Sequence, residues 1–125
     1  MPDTPDPQPT RLQLRIYFGG EAMLGPGKAE LLQRIHDTGS ISAAGRAMKM
    51  SYKRAWMLVE EMNAAFRDPL VDRTRGGAGG GGARVTEAGL AVMALYRAVE
   101  SAAAAAASHD IATLRAMLRD IPGQK

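Results

Sequence analysis

"SISAAGRAMKMSYKRAWMLVEEMNAAF", residues 40–66, places serines ahead of two separate sets of apolar residues at helical spacing. In the first part, Ser40 or Ser42 can cap a helix that turns Ile41, Ala44 and Met48 inward, with room for only about two turns. After Lys49 and Met50, Ser51 can cap a longer helix in which Ala55, Leu58, Val59, Met62 and Phe66 share one face, as a helical period requires. The opposite side of that wheel carries Lys53, Met57 and Glu60, with Tyr52 and Trp56 on one flank. The second helix therefore has one face for a core and another free to act outside it.

The flanks extend this pattern in both directions. Downstream, Asp68-Pro69 ends the helix, and "LVDRTR" (residues 70–75) alternates as a short strand with Leu70 inward. A glycine run follows, then "ARVT" (residues 83–86) returns as a second short strand whose Thr86 can cap a long helix over residues 87–107. Leu90, Val92, Met93, Leu95, Tyr96 and Val99 spread widely around that helix. Such a spread predicts burial on more than one side, by the domain's own core and by a second chain. Asp110 can cap a last helix striped with Ile111, Leu114, Leu118 and Ile121 before Pro122-Gly123. Upstream, "RLQLRIYF" (residues 11–18) has the period of a half-buried strand and ends at Gly19-Gly20. "KAELLQRIHDTG" (residues 28–39) puts Leu31, Leu32 and Ile35 on one helical face and stops at a C′ glycine. No internal repeat is found.

These elements predict a mainly α fold with a small β-wing, a winged helix-turn-helix with a long C-terminal helix. Three parts are expected. Residues 1–10, acidic and proline-rich, form a disordered lead; residues 11–86 form the winged helix-turn-helix; residues 87–121, a long helix and a short amphipathic one, serve dimerisation. At 125 residues the chain can bury one modest core. Hydrophobic residues are 46% but aromatics only 5%, and alanine supplies much of the difference, so the core should be helical.

There are no cysteines, which excludes a disulfide scaffold, a thiol nucleophile and a cysteine zinc site and makes the cytoplasm the expected location. The N-terminus lacks the basic end and apolar stretch of a secretory signal. The longest apolar stretch, residues 88–107, is interrupted by Arg97 and Glu100 and is mostly alanine, too weakly apolar to span a bilayer, so no membrane partner is expected.

The net charge of +3 is unevenly spread. Residues 39–86 carry Arg46, Lys49, Lys53, Arg54, Arg67, Arg73, Arg75 and Arg84 against Glu60, Glu61, Asp68 and Asp72, so all the excess positive charge lies there. A footprint on nucleic acid needs such a patch; chance clustering on a solvated surface is the plainer explanation. A capped helix can enter a DNA major groove with its N-terminal residues toward base edges, and here that end presents Ser51, Tyr52, Lys53 and Arg54. Lys49 precedes it, and Arg73, Arg75 and Arg84 flank the glycine run, where they could hold neighbouring phosphates.

The glycine run admits three roles. A nucleotide cradle fails, because "GGARVT" has no lysine before its threonine and no strand–loop–helix order of the phosphate-loop type. A flexible linker and a wing both remain, with the strand-like flanks and the short chain favouring the wing. Trp56 could reach DNA or cover the core edge, and both readings stand. His36 lies near a helix C-terminus, where a cationic imidazole is favoured, and the other histidine is distant, so no metal or other cofactor is expected. Glu60 and Glu61 read as solvated charges. No nucleophile, base and orienter assemble, so an enzyme is not expected.

"TGSISAAGRAMKMSYKRAWMLVEEMN" (residues 38–63), "PLVDRTRGGAGGGGARVTEAG" (residues 69–89) and "LYR" (residues 95–97) together resemble the N-terminal DNA-binding domain of the ModE-type regulators, the molybdate-responsive transcription factors of bacteria. The resemblance covers roughly residues 11–100, and the pairing of "MSYKRAW" with a glycine-rich "GGARVT" is its most specific part. It implies a homodimer on double-stranded operator DNA, with residues 51–63 as recognition helix and residues 72–86 as wing. It also implies DNA contact by Ser51, Tyr52, Lys53 and Trp56, while Arg54 departs from the small residue the family carries there. In full-length relatives molybdate is bound by separate C-terminal domains. Here the residues after Glu100 leave room only for an alanine-rich helix end and one amphipathic helix. Molybdate sensing by a separate protein, response to another signal, and constitutive binding all stay open. A winged-helix protein-interaction module, using residues 111–121 as its contact, is the alternative.

Overall fold

The computed structural model describes residues 10–74 and 82–119. The element order is β1 (Ile16–Gly19), β2 (Ala22–Leu24), α1 (Pro26–Thr38), α2 (Ile41–Ala47), α3 (Tyr52–Ala65), β3 (Val71–Thr74), β4 (Gly82–Val85), α4 (Glu87–Ala106) and α5 (Ser108–Ala116). This is the expected mainly α fold, with β3 and β4 as the two-stranded antiparallel wing.

The helix boundaries follow from local chemistry. α1 opens with Pro26 in its first turn and closes on Gly39 at φ 72, a left-handed conformation that glycine enters without a Cβ clash. Ser40, not Ser42, caps α2 by accepting from the Ala43 N–H at 3.0 Å; the Ser42 hydroxyl accepts from Arg46 instead. Ser51 caps α3 by accepting from the Arg54 N–H at 3.0 Å. Between α2 and α3 the Lys49 N–H donates to the Arg46 carbonyl and the Met50 N–H to the Gly45 carbonyl, each at 3.0 Å. That pair of bonds is a Schellman closure, and it puts Lys49 at φ 61, the one described non-glycine residue with positive φ.

The core is where the apolar faces predicted it. Leu31, Leu32 and Ile35 of α1, Ala44 of α2, and Ala55, Val59 and Met62 of α3 are buried together with Leu70, Val71, Ala83, Val85 and Met93. A Cβ added to Gly45 would stand 3.0 Å from the Ala55 Cβ, so the close crossing of α2 and α3 depends on two small residues. Thr86 ties the wing to α4. Its hydroxyl accepts from the Gly89 N–H at 3.0 Å and donates to the Pro69 carbonyl at 2.7 Å.

Several expectations are corrected. Residues 11–15 alternate in burial but join no strand, and β1 begins only at Ile16, pairing with the unforeseen β2 through Ile16↔Leu24 and Tyr17↔Met23. Gly19 at φ 116 and Gly20 at φ 57 make the turn. Within the single chain α4 buries Gly89, Met93 and Tyr96, while Leu90, Leu95 and Val99 are exposed. The stretch expected to be too weakly apolar for a bilayer is, as α4, long and apolar enough to cross a membrane by length and composition alone. Asp110 does not cap the last helix. Ala107 ends α4 and α5 starts at Ser108 without a side-chain cap, so Asp110 falls inside the first turn. An alanine run contains no breaker, and the chain re-enters helix after a single residue. α5 ends at Ala116, Leu118 lies beyond it, and Ile121 falls outside the described residues.

Candidate nucleic-acid interface

The Ser51 cap fixes where α3 begins, and with it the four residues that open the helix. Tyr52, Lys53 and Arg54 are all exposed in that first turn, and Ser51 is exposed as well, though its oxygen is engaged by the cap. Lys49 is exposed in the turn just before. A helix N-terminus with free N–H groups and cationic side chains is suited to phosphate.

Of the two roles left open for Trp56, the structure shows the packing one. Trp56 packs against the hydrophobic core, and the Arg73 guanidinium carbon stands 4.7 Å from its ring centroid. Such a cation–π contact is worth about 0.5–2 kcal/mol, more as water is excluded. It joins the wing to α3.

The wing register separates its arginines. Val71↔Val85 and Arg73↔Ala83 are paired across β3 and β4, as are Asp72↔Arg84 and Thr74↔Gly82. Directly opposed residues share a face and alternate along the strand. Val71, Val85 and Ala83 are buried, so Arg73 leaves from the side that faces the protein and reaches Trp56. Arg84 leaves from the other side, where it is ion-paired with Asp72 at 3.3 Å. Arg75 and most of the glycine run, residues 75–81, lie outside the described residues.

Three features were not anticipated. Asn63 in α3 hydrogen-bonds the backbone of Leu70 and Val71; its only sequence signal is that it lies two helical turns from Trp56 on the same face. Asp72 partners Arg84. Glu61, read as a solvated charge, pairs at 3.3 Å with Lys28, an ammonium that is buried and also donates to the Met23 carbonyl at 3.1 Å. Lys28 thereby fastens β2 to α3. Among the described residues no group of three or more His, Cys, Asp or Glu side chains could hold a metal ion.

A short capped helix, a tight turn, a second capped helix and an antiparallel strand pair fastened to it define the winged helix-turn-helix class. The chain belongs to the bacterial regulatory helix-turn-helix proteins of the LysR family, whose model matches residues 27–90. It is 40% identical over 95 residues to the molybdenum-pterin-binding protein MopA of Rhodobacter capsulatus, covering 76% of this chain and 36% of that one. It is 40% identical over 77 residues to the molybdenum transport protein ModE of Azotobacter vinelandii, covering 62% of this chain and 28% of the relative. Over 71 residues it is 42% identical to the DNA-binding transcriptional dual regulator ModE of Escherichia coli K12, covering 57% of this chain and 27% of that protein. The chain thus spans about a third of the length of the curated relatives it matches.

Proposed function

We propose that the chain is a sequence-specific, double-stranded-DNA-binding transcriptional regulator of the cytoplasm, homodimeric and linked to molybdenum metabolism. The observation that carries this is the Arg73 guanidinium over the Trp56 ring, which holds an arginine of the wing beside the exposed, basic start of α3. Both can then engage one duplex. The relatives named for molybdenum and for DNA binding support the same reading.

Each protomer inserts the N-terminal turn of α3 into a major groove, with Tyr52, Lys53 and Trp56 toward bases and Ser51 and Arg54 at the groove edge. Lys49, Arg73, Arg75 and Arg84 serve the phosphates. Two-fold symmetry sets half-sites roughly 34 Å apart on a palindromic operator. The exposed Leu95 and Val99 of α4, flanked by alanines, supply an apolar seam for the second protomer. Sedimentation at micromolar concentration should give a dimer, and Leu95→Glu should give a monomer.

With about three phosphate contacts per protomer the dimer neutralises roughly six charges, so log K should fall with log salt at a slope of about −5. Fluorescence anisotropy on the chain's own upstream DNA tests this, and footprinting with and without molybdate tests the molybdenum link. The exposed Leu114, Met117 and Leu118 around the end of α5 favour one rival, a module that docks protein instead. It predicts weak, salt-insensitive DNA binding.

A further inference from the structure

Asn63 spends its side-chain amide on the root of the wing. Oδ1 accepts from the Leu70 N–H at 2.8 Å and the Val71 N–H at 3.2 Å, while Nδ2 donates to the Val71 carbonyl at 3.0 Å. Only this orientation of the amide works, since two donors face its oxygen and an acceptor faces its nitrogen. These bonds join α3 directly to the start of β3.

The wing has other anchors, but they come from elsewhere in the fold. The Ala83 N–H donates to the Gly39 carbonyl and the Thr86 N–H to the Leu70 carbonyl, each at 2.9 Å, tying β4 to the α1–α2 turn and to the segment before β3. Neither bond involves a residue of α3. Val71 and Arg73 lie on one side of β3 by strand alternation, so fixing the Val71 peptide also fixes the direction in which Arg73 leaves. On α3, Trp56 lies two turns before Asn63 on the same face, and it is there that Arg73 arrives.

We propose that Asn63 is a positioning residue for the wing: it sets the angle at which β3 leaves α3 and so delivers Arg73 to Trp56 and to the duplex, without touching DNA itself. The DNA part of this rests on the function proposed above; the delivery of Arg73 to Trp56 does not. A residue that merely stabilised the fold would lower the unfolding midpoint and leave the place of Arg73 unchanged.

Trp56 is the sole tryptophan, so its fluorescence reports on Arg73 in DNA-free protein. Asn63→Ala should change the Trp56 emission in the same direction and to the same extent as Arg73→Ala, and the double variant should add nothing further. On a duplex selected by the wild-type chain from a randomised library, Asn63→Ala should flatten the salt slope by about 2, one phosphate contact per protomer, while the preferred bases stay the same. Wild-type emission in Asn63→Ala alongside an altered Arg73→Ala overturns the proposal, as does an unchanged salt slope. Should Asn63→Ala fail to fold, Asn63→Asp keeps an oxygen toward the two N–H groups and sets another against the Val71 carbonyl. It should show smaller changes of the same kind, and wild-type emission in that folded variant also overturns the proposal. If the wild-type chain selects no duplex, the DNA-binding reading falls, and the emission comparison still decides whether Asn63 delivers Arg73.

Discussion

The Asp72 carboxylate accepts the Arg84 guanidinium at 3.3 Å on the side of the wing opposite to Arg73. Both side chains are substantially exposed, and a pair of this kind adds only about 0–1 kcal/mol to stability. Its consequence is electrostatic. An arginine already facing a carboxylate attracts phosphate less than a free one, so under the proposed function Asp72 should lower the affinity of this face of the wing for DNA.

Asp72→Ala should therefore leave the urea midpoint nearly unchanged and tighten binding to all duplexes alike. The salt slope in an anisotropy titration should become more negative, by up to about 2 for two protomers. An unchanged slope would mean that Arg84 lies away from the phosphates.

Lys49 occupies a position that glycine would fill without strain. At φ 61, a side chain crowds the carbonyl that follows it, at a cost of about 1–2 kcal/mol. Lys49→Gly relieves that strain and gives back part of the gain through the looser unfolded chain, so a net stabilisation of about 0.5–1 kcal/mol is expected in urea denaturation. The same change removes a cation from the turn that leads into α3. DNA affinity should fall as stability rises. If both rise, Lys49 has no place in the interface.

What could be foreseen from sequence was whatever a few adjacent residues decide. Ser40, Ser51 and Thr86 are caps because their oxygens satisfy N–H groups three residues on, and Gly39 closes α1 because it enters the left-handed region cheaply. Arg73 on Trp56, Asp72 on Arg84 and Asn63 on the root of β3 belong to another kind. Each depends on how the chain reverses at Pro69 and on a strand register set across the glycine run, which composition does not specify. β2 escaped notice because three residues between a glycine turn and a proline carry too little periodicity to count. The last helix was misplaced because alanine gives no signal for where one helix stops and another starts.

Two glycines separate packing from propensity. A Cβ on Gly89 would stand 2.3 Å from the Leu70 carbonyl oxygen and 2.6 Å from Val85 Cγ1, so α4 approaches the wing root as closely as backbone permits. Gly89→Ala should cost at least about 2–3 kcal/mol, since the backbone has to shift. Gly27, in the first turn of α1, would meet nothing within 4 Å, and Gly27→Ala should be neutral or stabilising by up to about 1 kcal/mol. Chemical denaturation of the two variants beside the wild type checks the contrast, and equal effects would refute the close approach.

Tyr96 links α4 to the segment before β1, its hydroxyl donating to the Leu14 carbonyl at 2.6 Å. Burial raises its pKa above the ordinary value, and the nearby Glu100 carboxylate raises it further. The folded state thus favours the neutral phenol. As pH climbs past about 10, the unfolded chain releases this proton before the folded one does, so the unfolded state gains relative stability. The contribution of Tyr96 is complete below that pH and is lost as pH rises toward the folded pKa. Tyr96→Phe gives up the bond to Leu14, costing about 0.5–1.5 kcal/mol near neutral pH, but has no proton to release. In urea titrations from about pH 8 to 11 the wild-type advantage over Tyr96→Phe should shrink on the alkaline side. Two curves that stay parallel throughout would show that the phenol keeps the same pKa folded and unfolded.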